Sequence, residues 1–499
     1  MLAYALVAFL IFRSSSSDFE SDLKLAVDEY KCKPNCTFNH SELTSKTIEF
    51  FPTTCYTVCG IITINENTDL SYAKLESVFA KIGSIGGGLQ IQNTKLKTIS
   101  FLRKELSIQC FPIGTRIVNN SELVDVDVLH DVHHIQEYNL SQVLIRDCDI
   151  QILNNTKLDA SEVCESQWYW SLTKMEVYDN KKDCGCRGGV ITARNLKNFK
   201  NCIGLFDGLK MTNMSYNANL NSLQKIRMIT GNVEIAFTNF TDLSFLKSLW
   251  KVRGTLLNSV ETVILDIHDN PNLKRIGIPI RYFLQNIESN LAPTMNLENL
   301  HPDFCLTFQE ASQLALVNAR FKNLQAKFCD DELETEQITC HLGSLADLAS
   351  DCVIIFGDLL IDSENEEYVE NLEKVQEIYG SLTIQNTQLK DLKFIKYLSS
   401  VYYLHDSLPA IRISNNTKLA SVSLSFMSRV FAKGKRDVIF EGNAPGLFRA
   451  SISCLAFQSH IHGNVTYNGK NCKAIDLVNG AAQLAKVIWI LLFGVLIFC

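Results

Sequence analysis

The chain has no surplus of basic charge. Lys and Arg number 47 against 54 Asp and Glu, a net charge of -7 over 499 residues. No segment gathers a basic face, which excludes nucleic acid as a partner. The chain also lacks the composition of a disordered polymer. With 46% hydrophobic and 20% charged residues, it can bury cores, and its length suggests about three domains. Cysteine, by contrast, is plentiful: seventeen are present, and in an oxidising compartment they pair.

No uninterrupted apolar run reaches the ~20 residues of a comfortable membrane span. Two shorter runs stand at the ends. Leu2 to Phe12, followed by Ser14–Ser16, has the length and small flanking residues of a signal peptide, expected over 1–16. Nine Asn-x-Ser/Thr sequons fit an extracellular chain: Asn35, Asn39, Asn119, Asn139, Asn154, Asn213, Asn239, Asn415 and Asn464. The tail VIWILLFGVLIFC, within 473–499, allows three readings. It is a GPI-anchor signal with attachment at Asn479, before Gly480-Ala481; a short membrane anchor; or a core strand. Removal of the tail takes Cys499 with it and leaves sixteen cysteines, an even number.

The central feature is repetition. CYTVCGIITI (55–64), CIGLFDGLKM (202–211) and CVIIFGDLLI (352–361) align without gaps. So do GGLQIQNTKLKTISFL (87–102), GNVEIAFTNFTDLSFL (231–246) and GSLTIQNTQLKDLKFI (380–395), with Phe237 standing where the other copies have Asn93 and Asn386. Within the third copy, Leu359/Ile361, Leu382/Ile384, Ile411/Ile413 and Val438/Phe440 are apolar i, i+2 pairs 23 to 29 residues apart. Such a pair puts both side chains on one face of a strand. One short strand per repeat of this length predicts a solenoid whose coils bury their pairs against one another.

An Asn after each strand is suited to the turn, because its side chain can satisfy both N–H and C=O groups inside the coil. Asn93, Asn386, Asn154 and Asn415 are the candidates for a stacked ladder. For Asn154 and Asn415 the sequon favours an exposed glycan acceptor instead. Cysteines suit the ends of each copy, where a solenoid exposes its interior. They pair as Cys340 with Cys352 and Cys454 with Cys472 in the third, and as Cys186 with Cys202 and Cys305 with Cys329 in the second. Pairing in the first copy is open, with Cys164–Cys184 and Cys110–Cys148 as guesses.

These motifs together, with an Asn-Asn-x-x-Leu rung and the closing NNTKLDASEVCESQWYWSL (154–172), resemble the receptor L domain, the ligand-binding module of the insulin and epidermal growth factor receptor families. The resemblance implies an α/β solenoid, leucine-rich-repeat-like, with three right-handed single-stranded β-helix L domains in tandem: 17–184, 185–339 (divergent) and 340–472. It further implies binding of a peptide hormone or growth factor on a sheet face. Those receptors insert a cysteine-rich region between two L domains and carry a kinase, and neither is found here. The chain resembles the kinase-less L-domain proteins that are numerous in nematodes.

Other chemistry weighs little. Gly83 to Gly88 lacks the Lys-Ser/Thr of a phosphate loop and reads as the tight approach to a strand. His130, His133 and His134 read as exposed residues of a polar loop. Cys184-Gly185-Cys186 is a poor redox spacing, and Trp168-Tyr169-Trp170 reads as a plug for the solenoid end. The outward strand positions are Gln90, Gln92, Glu234, Ala236, Thr383 and Gln385. One carboxylate among six does not make an acid/base pair. The expectation is a non-enzymatic protein without cofactor or metal, on the cell surface or secreted. It captures or presents a secreted insulin-like or EGF-like peptide, as decoy or co-receptor, with Gln90, Gln92, Thr383 and Gln385 on the ligand face. The alternative is an adhesion or scaffold glycoprotein that binds other L-domain chains.

Overall fold

The computed structural model describes residues 15–135, 138–139, 144–145, 148–163, 173–216, 218–254, 263–279, 282–284, 293–329, 338–405, 409–422, 424, 426–432, 437–444, 447, 454–461 and 463–475. The chain divides into two compact units: 1–238 with 243–266 and 277–291, and 239–242 with 267–276 and 292–499. The dividing line falls inside 185–339.

Both units are parallel-stranded solenoids. In the second, the apolar pairs stack in register: Leu359 and Ile361 on Leu382 and Ile384, these on Ile411 and Ile413, and these on Val438 and Phe440. All eight side chains are buried. Each such side chain contributes roughly 1.5–3 kcal/mol through burial, but only when the neighbouring coil is present to cover it. In the first unit, the strands Thr57–Ile64, Ser84–Gln92, Ser107–Val118, Cys148–Leu153 and Thr173–Tyr178 form the same stack. Leu89, Ile91, Ile117, Ile152 and Val177 fill its core.

Each coil contributes more than the one strand expected. In the second unit a further sheet runs Thr339–His341, Ile354–Phe356, Glu377–Tyr379, Ser400–Tyr403 and Arg429–Ala432. Its strands precede those of the first sheet in the same coils, and 3-10 turns such as Glu366–Leu372 and Lys393–Ile395 close the coil. In the opening coils of the first unit the two strands fuse, so Ser84–Gln92 is a single run of nine residues, while the later coils keep them apart, as in Leu209–Thr212 after Gly204–Leu205. Gly86 to Gly88 therefore lie inside a strand, where an approach to a strand was expected. A helix, Ser15–Tyr30, explains them. A Cβ on Gly86 would stand 3.1 Å from the Tyr30 ring, and one on Gly87 would stand 3.0 Å from the Ala26 Cβ and 2.7 Å from the Gly60 carbonyl oxygen. The glycines make a flat seat for the helix. Ser15 and Ser16, placed at the cleavage point by sequence, open that helix; residues 1–14 are outside the described set.

The internal ladder is displaced by one residue from its expected positions. Asn93, Asn154, Asn386 and Asn415 have φ of 56–59° and are exposed. They supply the left-handed turn that Asn tolerates better than most residues. The residue after each one points inward. Thr94 donates to Asn120 Oδ1 from N–H and Oγ1, Asn120 N–H and Nδ2 donate to Asn155 Oδ1, and Asn155 donates likewise to Asn180 Oδ1. Asn180 in turn donates to Asp183, whose carboxyl pKa burial pushes up. In the second unit the ladder is Thr387, Asn416 and Asn443. The chemistry foreseen for the ladder holds, but at the next residue along, because one Asn cannot both form the left-handed corner and point inward.

Candidate ligand-binding faces

Each unit has one face covered by its own chain. In the first, the helix Ser15–Tyr30 lies over the leading halves of the strands, and the Phe111 N–H donates to Tyr30 Oη at 3.0 Å. In the second, Phe308, at the start of the helix Phe308–Leu316, meets Phe356 at 5.5 Å and Tyr379 at 4.2 Å between ring centroids. Phe328 packs on Tyr379 and Phe321 on Phe431. Tyr379 and Tyr402 stack at 4.4 Å. Beneath them the Tyr379 hydroxyl donates to Glu377 at 3.0 Å, and burial raises the pKa of both groups.

The uncovered face lies on the trailing halves of these same strands in the first unit and on the separate trailing sheet in the second. Gln90 and Gln92 alternate with buried Leu89 and Ile91, so they face outward, half-buried. Gln90 belongs to a row across the sheet: Thr63, Gln90, Arg116, Gln151, Glu176. Gln151 Nε2 donates to Glu176 at 3.2 Å, while Arg116 Nε is buried and makes no hydrogen bond among the described residues. The second unit repeats the plan with Leu360, Thr383, Arg412, Ile439 and Thr466. Arg412 stands where Arg116 does, one strand after the middle of the motif. Its Nη2 lies 3.6 Å from Glu441 Oε2, and its Nε is likewise without a partner. A hollow of about 250 Å³ lies beside it, bounded by Leu360, Ser381, Thr383, Gln385 and Pro409. Leu360 is 43% exposed. This gives an apolar lip next to a guanidinium with free hydrogen-bonding capacity. A second cavity of about 780 Å³, lined among others by Tyr30, Lys33, Tyr56 and Gln109, opens at the covered side of the first unit.

The second copy departs from this plan. Glu234 faces outward and pairs with Lys210 at 2.7 Å, but Ala236, expected on the surface, is fully buried. Its methyl is too short to rise above the side chains around it. Phe237 takes the left-handed corner at φ 55° and is 55% exposed.

Four disulfides join Cys186–Cys202, Cys305–Cys329, Cys340–Cys352 and Cys454–Cys472. Two more, Cys32–Cys59 and Cys36–Cys55, nest at the start of the first solenoid. The equal spacing of four residues within 32/36 and 55/59 was the overlooked signal for them. Cys184 is also disulfide-bonded and does not pair with its neighbour Cys186. Cys164, Trp168, Tyr169, Trp170 and Asn479 lie outside the described residues. His133 and His134 belong to a strand paired with Ser107–Gln109, and His130 to a 3-10 turn, where a loop was expected. Among the described residues no group of His, Cys, Asp and Glu is arranged to hold a metal ion, and no helix is long and apolar enough to cross a membrane. Asn35, Asn39, Asn119, Asn154, Asn213, Asn239, Asn415 and Asn464 are all exposed; the side chain of Asn139 is outside the described set.

Residues 201–316 and 351–454 match the family described as Receptor L domain. These are the second and third copies, including the one whose motifs diverge most. Protein irld-34 of Caenorhabditis elegans is 24% identical over 246 residues, which cover 46% of this chain and 60% of that relative. The chain thus spans less than two thirds of the relative's length. With stacked parallel strands, Asn-capped corners and these two matched segments, the chain is similar to receptor L-domain proteins over its second and third copies.

Proposed function

We propose that this protein is a non-enzymatic extracellular binding protein whose uncovered sheet faces capture a secreted insulin-like or EGF-like peptide, as decoy or co-receptor. The observation that carries this reading is the contrast between sheets. In the first unit the leading halves of the fused strands are sealed by the chain's own helix and the trailing halves are left open; in the second one sheet is sealed by aromatic residues and the other is left open; each open face carries a mixed row around an arginine. Such a surface suits recognition, in which moderate polarity and broad contact are the rule. The two rows hold one carboxylate, Glu176, which accepts from Gln151; Glu441, opposite Ser414 in the next outward row, faces Arg412. In the same reading the chain is three right-handed coils, 17–184, 185–339 and 340–472, preceded by a signal peptide and held at the cell surface by an anchor at Asn479. Gln90, Gln92, Thr383 and Gln385 belong to the binding faces.

The test is surface plasmon resonance of the purified ectodomain against a panel of insulin-like and EGF-like peptides. Saturable binding weakened by Gln90→Ala/Gln92→Ala or Thr383→Ala/Gln385→Ala is expected. No saturable binding by any peptide, with self-association that grows with concentration, would overturn capture and favour adhesion. Release from expressing cells by a phosphatidylinositol-specific phospholipase reads out the anchor.

A further inference from the structure

Four sequons share one structural position. Asn119, Asn154, Asn213 and Asn415 each follow the last residue of an outer-sheet strand, and each has positive φ, between 54° and 59°. All four are exposed. Their N–H groups still complete the parallel ladder, donating to the carbonyls of Leu153, Tyr178, Ala236 and Glu441. The middle residue of each sequon is the one that turns inward: Asn120, Asn155, Met214 and Asn416 are all buried. A buried, mostly hydrogen-bonded residue thus fixes the corner, and the preceding Asn leaves the coil at the trailing edge of the outer sheet. In the first unit two of these corners are neighbours. Asn119 and Asn154 follow paired strands, and Asn154 Nδ2 donates to Asn119 Oδ1 at 2.8 Å.

We infer that N-linked glycans at these corners form a carbohydrate border that lines the trailing edge of the outer strands, at Asn119, Asn154 and Asn213 in the first unit and at Asn415 in the second. A partner then reaches that sheet from its leading edge, where Leu360, Ser381 and Pro409 stand in the second unit. The inference rests on the extracellular reading above. The chemistry is a group transfer from a lipid-linked oligosaccharide diphosphate in the secretory pathway. The Asn amide nitrogen bonds to the sugar C1 and gives up a proton, and the C1–oxygen bond to the diphosphate breaks, with the lipid diphosphate leaving. The corner conformation matters because the glycan is mounted on a rigid support beside Gln385 and Glu441 or Leu153 and Tyr178, and not on a loose loop.

The experiment uses the full chain secreted from a glycosylating cell line, with site occupancy mapped by mass spectrometry of glycopeptides. Lysine acetylation rates are then compared with those of Thr156→Ala and Thr417→Ala, which abolish the Asn154 and Asn415 sequons through exposed residues and leave both corners intact. Occupancy at Asn154 and Asn415 is expected, with Lys157 and Lys418 labelled at least about threefold more slowly in the native glycoform and Lys81 and Lys374 unchanged. Glycans confined to Asn35, Asn39 or Asn464 would overturn the border and leave the extracellular reading standing. Unoccupied sequons throughout would sink both. Occupied corners with unchanged rates at Lys157 and Lys418 would overturn the shielding alone.

Discussion

Asn416 Oδ1 accepts two hydrogen bonds from one residue, Thr387: its N–H at 2.9 Å and its Oγ1 at 2.7 Å. On its other side Asn416 Nδ2 donates to the Ile384 carbonyl at 3.0 Å and to Asn443 Oδ1. One fully buried side chain thus satisfies backbone groups on one coil and side chains on two. Asn416→Ala leaves Thr387 and Ile384 with buried unpaired groups, each costing about 1–3 kcal/mol. A loss of about 3 kcal/mol or more is expected by denaturant unfolding of the secreted protein. Asn415→Gly, one residue earlier, keeps the left-handed turn that glycine enters freely, so a change within about 0.5 kcal/mol is expected there. The contrast between adjacent positions separates ladder from corner.

The helix Ser15–Tyr30 is seated on glycine, and the seat is intolerant of even a methyl group. Gly87 has φ 128°, and an added Cβ would lie 2.7 Å from the Gly60 carbonyl oxygen and 3.0 Å from the Ala26 Cβ. Gly87→Ala combines backbone strain with overpacking, which typically costs 1–3 kcal/mol, so a loss of about 2 kcal/mol or more is expected. Limited proteolysis should then cut within 15–30 faster than in the native protein. Unchanged cleavage would mean that the helix does not depend on the glycine seat.

Much of this was legible in the sequence, and the residues that were misread show why the rest was not. Leu359/Ile361 and their successors alternate cleanly, so their stacking could be read from spacing alone. Ser400-Val401-Tyr402-Tyr403 and Glu377-Ile378-Tyr379 do not alternate. Their outward side chains are buried against Phe308, Phe328 and Phe431, which erases the period of two and hid the second strand of each coil. The ladder was placed one residue early because Asn154-Asn155 and Asn415-Asn416 are pairs of identical letters with opposite roles. For the open face, alternation placed Gln90, Gln92, Thr383 and Gln385 correctly as outward residues. Arg412 stands between Ile411 and Ile413, a pair the spacing did reveal, but outward positions were read only from the aligned motifs; Arg116 sits on a strand outside them, and parallel register brings each arginine alongside.

Glu377 makes the covered sheet of the second unit sensitive to pH. Burial raises its folded pKa above the ordinary 4.5, against the lowering influence of the Tyr379 hydroxyl and the Arg429 charge, with Tyr402 also nearby. The folded state therefore binds a proton more tightly than the unfolded chain does. This group's contribution falls as pH rises from about 4.5 through the raised folded value. Glu377→Gln is expected to be more stable than the native protein at pH 7 and to lose that advantage by pH 4. Thermal melts across this range check the sign, and a variant less stable at pH 7 would show that the Arg429 attraction outweighs desolvation.

The disulfide Cys454–Cys472 spans 18 residues at the last coil of the second unit, where Cys454, Phe457, Val465 and Cys472 cover the end of the core. Opening a loop of this length removes about 3 kcal/mol in the chain-entropy account. Replacing both cysteines by Ala is expected to cost about that much in denaturant unfolding. Hydrogen exchange should quicken first in Asn464–Tyr467, the strand next to the cap, and only later in Leu382–Gln385 near the centre. Uniform acceleration would mean that the cap supports the whole solenoid and not its end alone.

Arg412 separates recognition from stability. Its contact with Glu441 is 3.6 Å long and partly exposed, and ion pairs of that kind contribute about 0–1 kcal/mol. Its Nε makes no hydrogen bond among the described residues, and the hollow beside it is lined by the exposed Leu360. Replacement by Gln should leave the unfolding midpoint almost unchanged, because little of the folded state depends on the charge. Binding is a different matter, since a charged group paired in a partly dry site is typically worth 2 kcal/mol or more on truncation. For a peptide captured from the insulin-like and EGF-like panel, Arg412→Gln is expected to raise Kd at least about tenfold. Arg412→Glu should do so more strongly and remove the salt dependence of the association rate. An affinity that survives both substitutions would move the contact away from this face of the second unit.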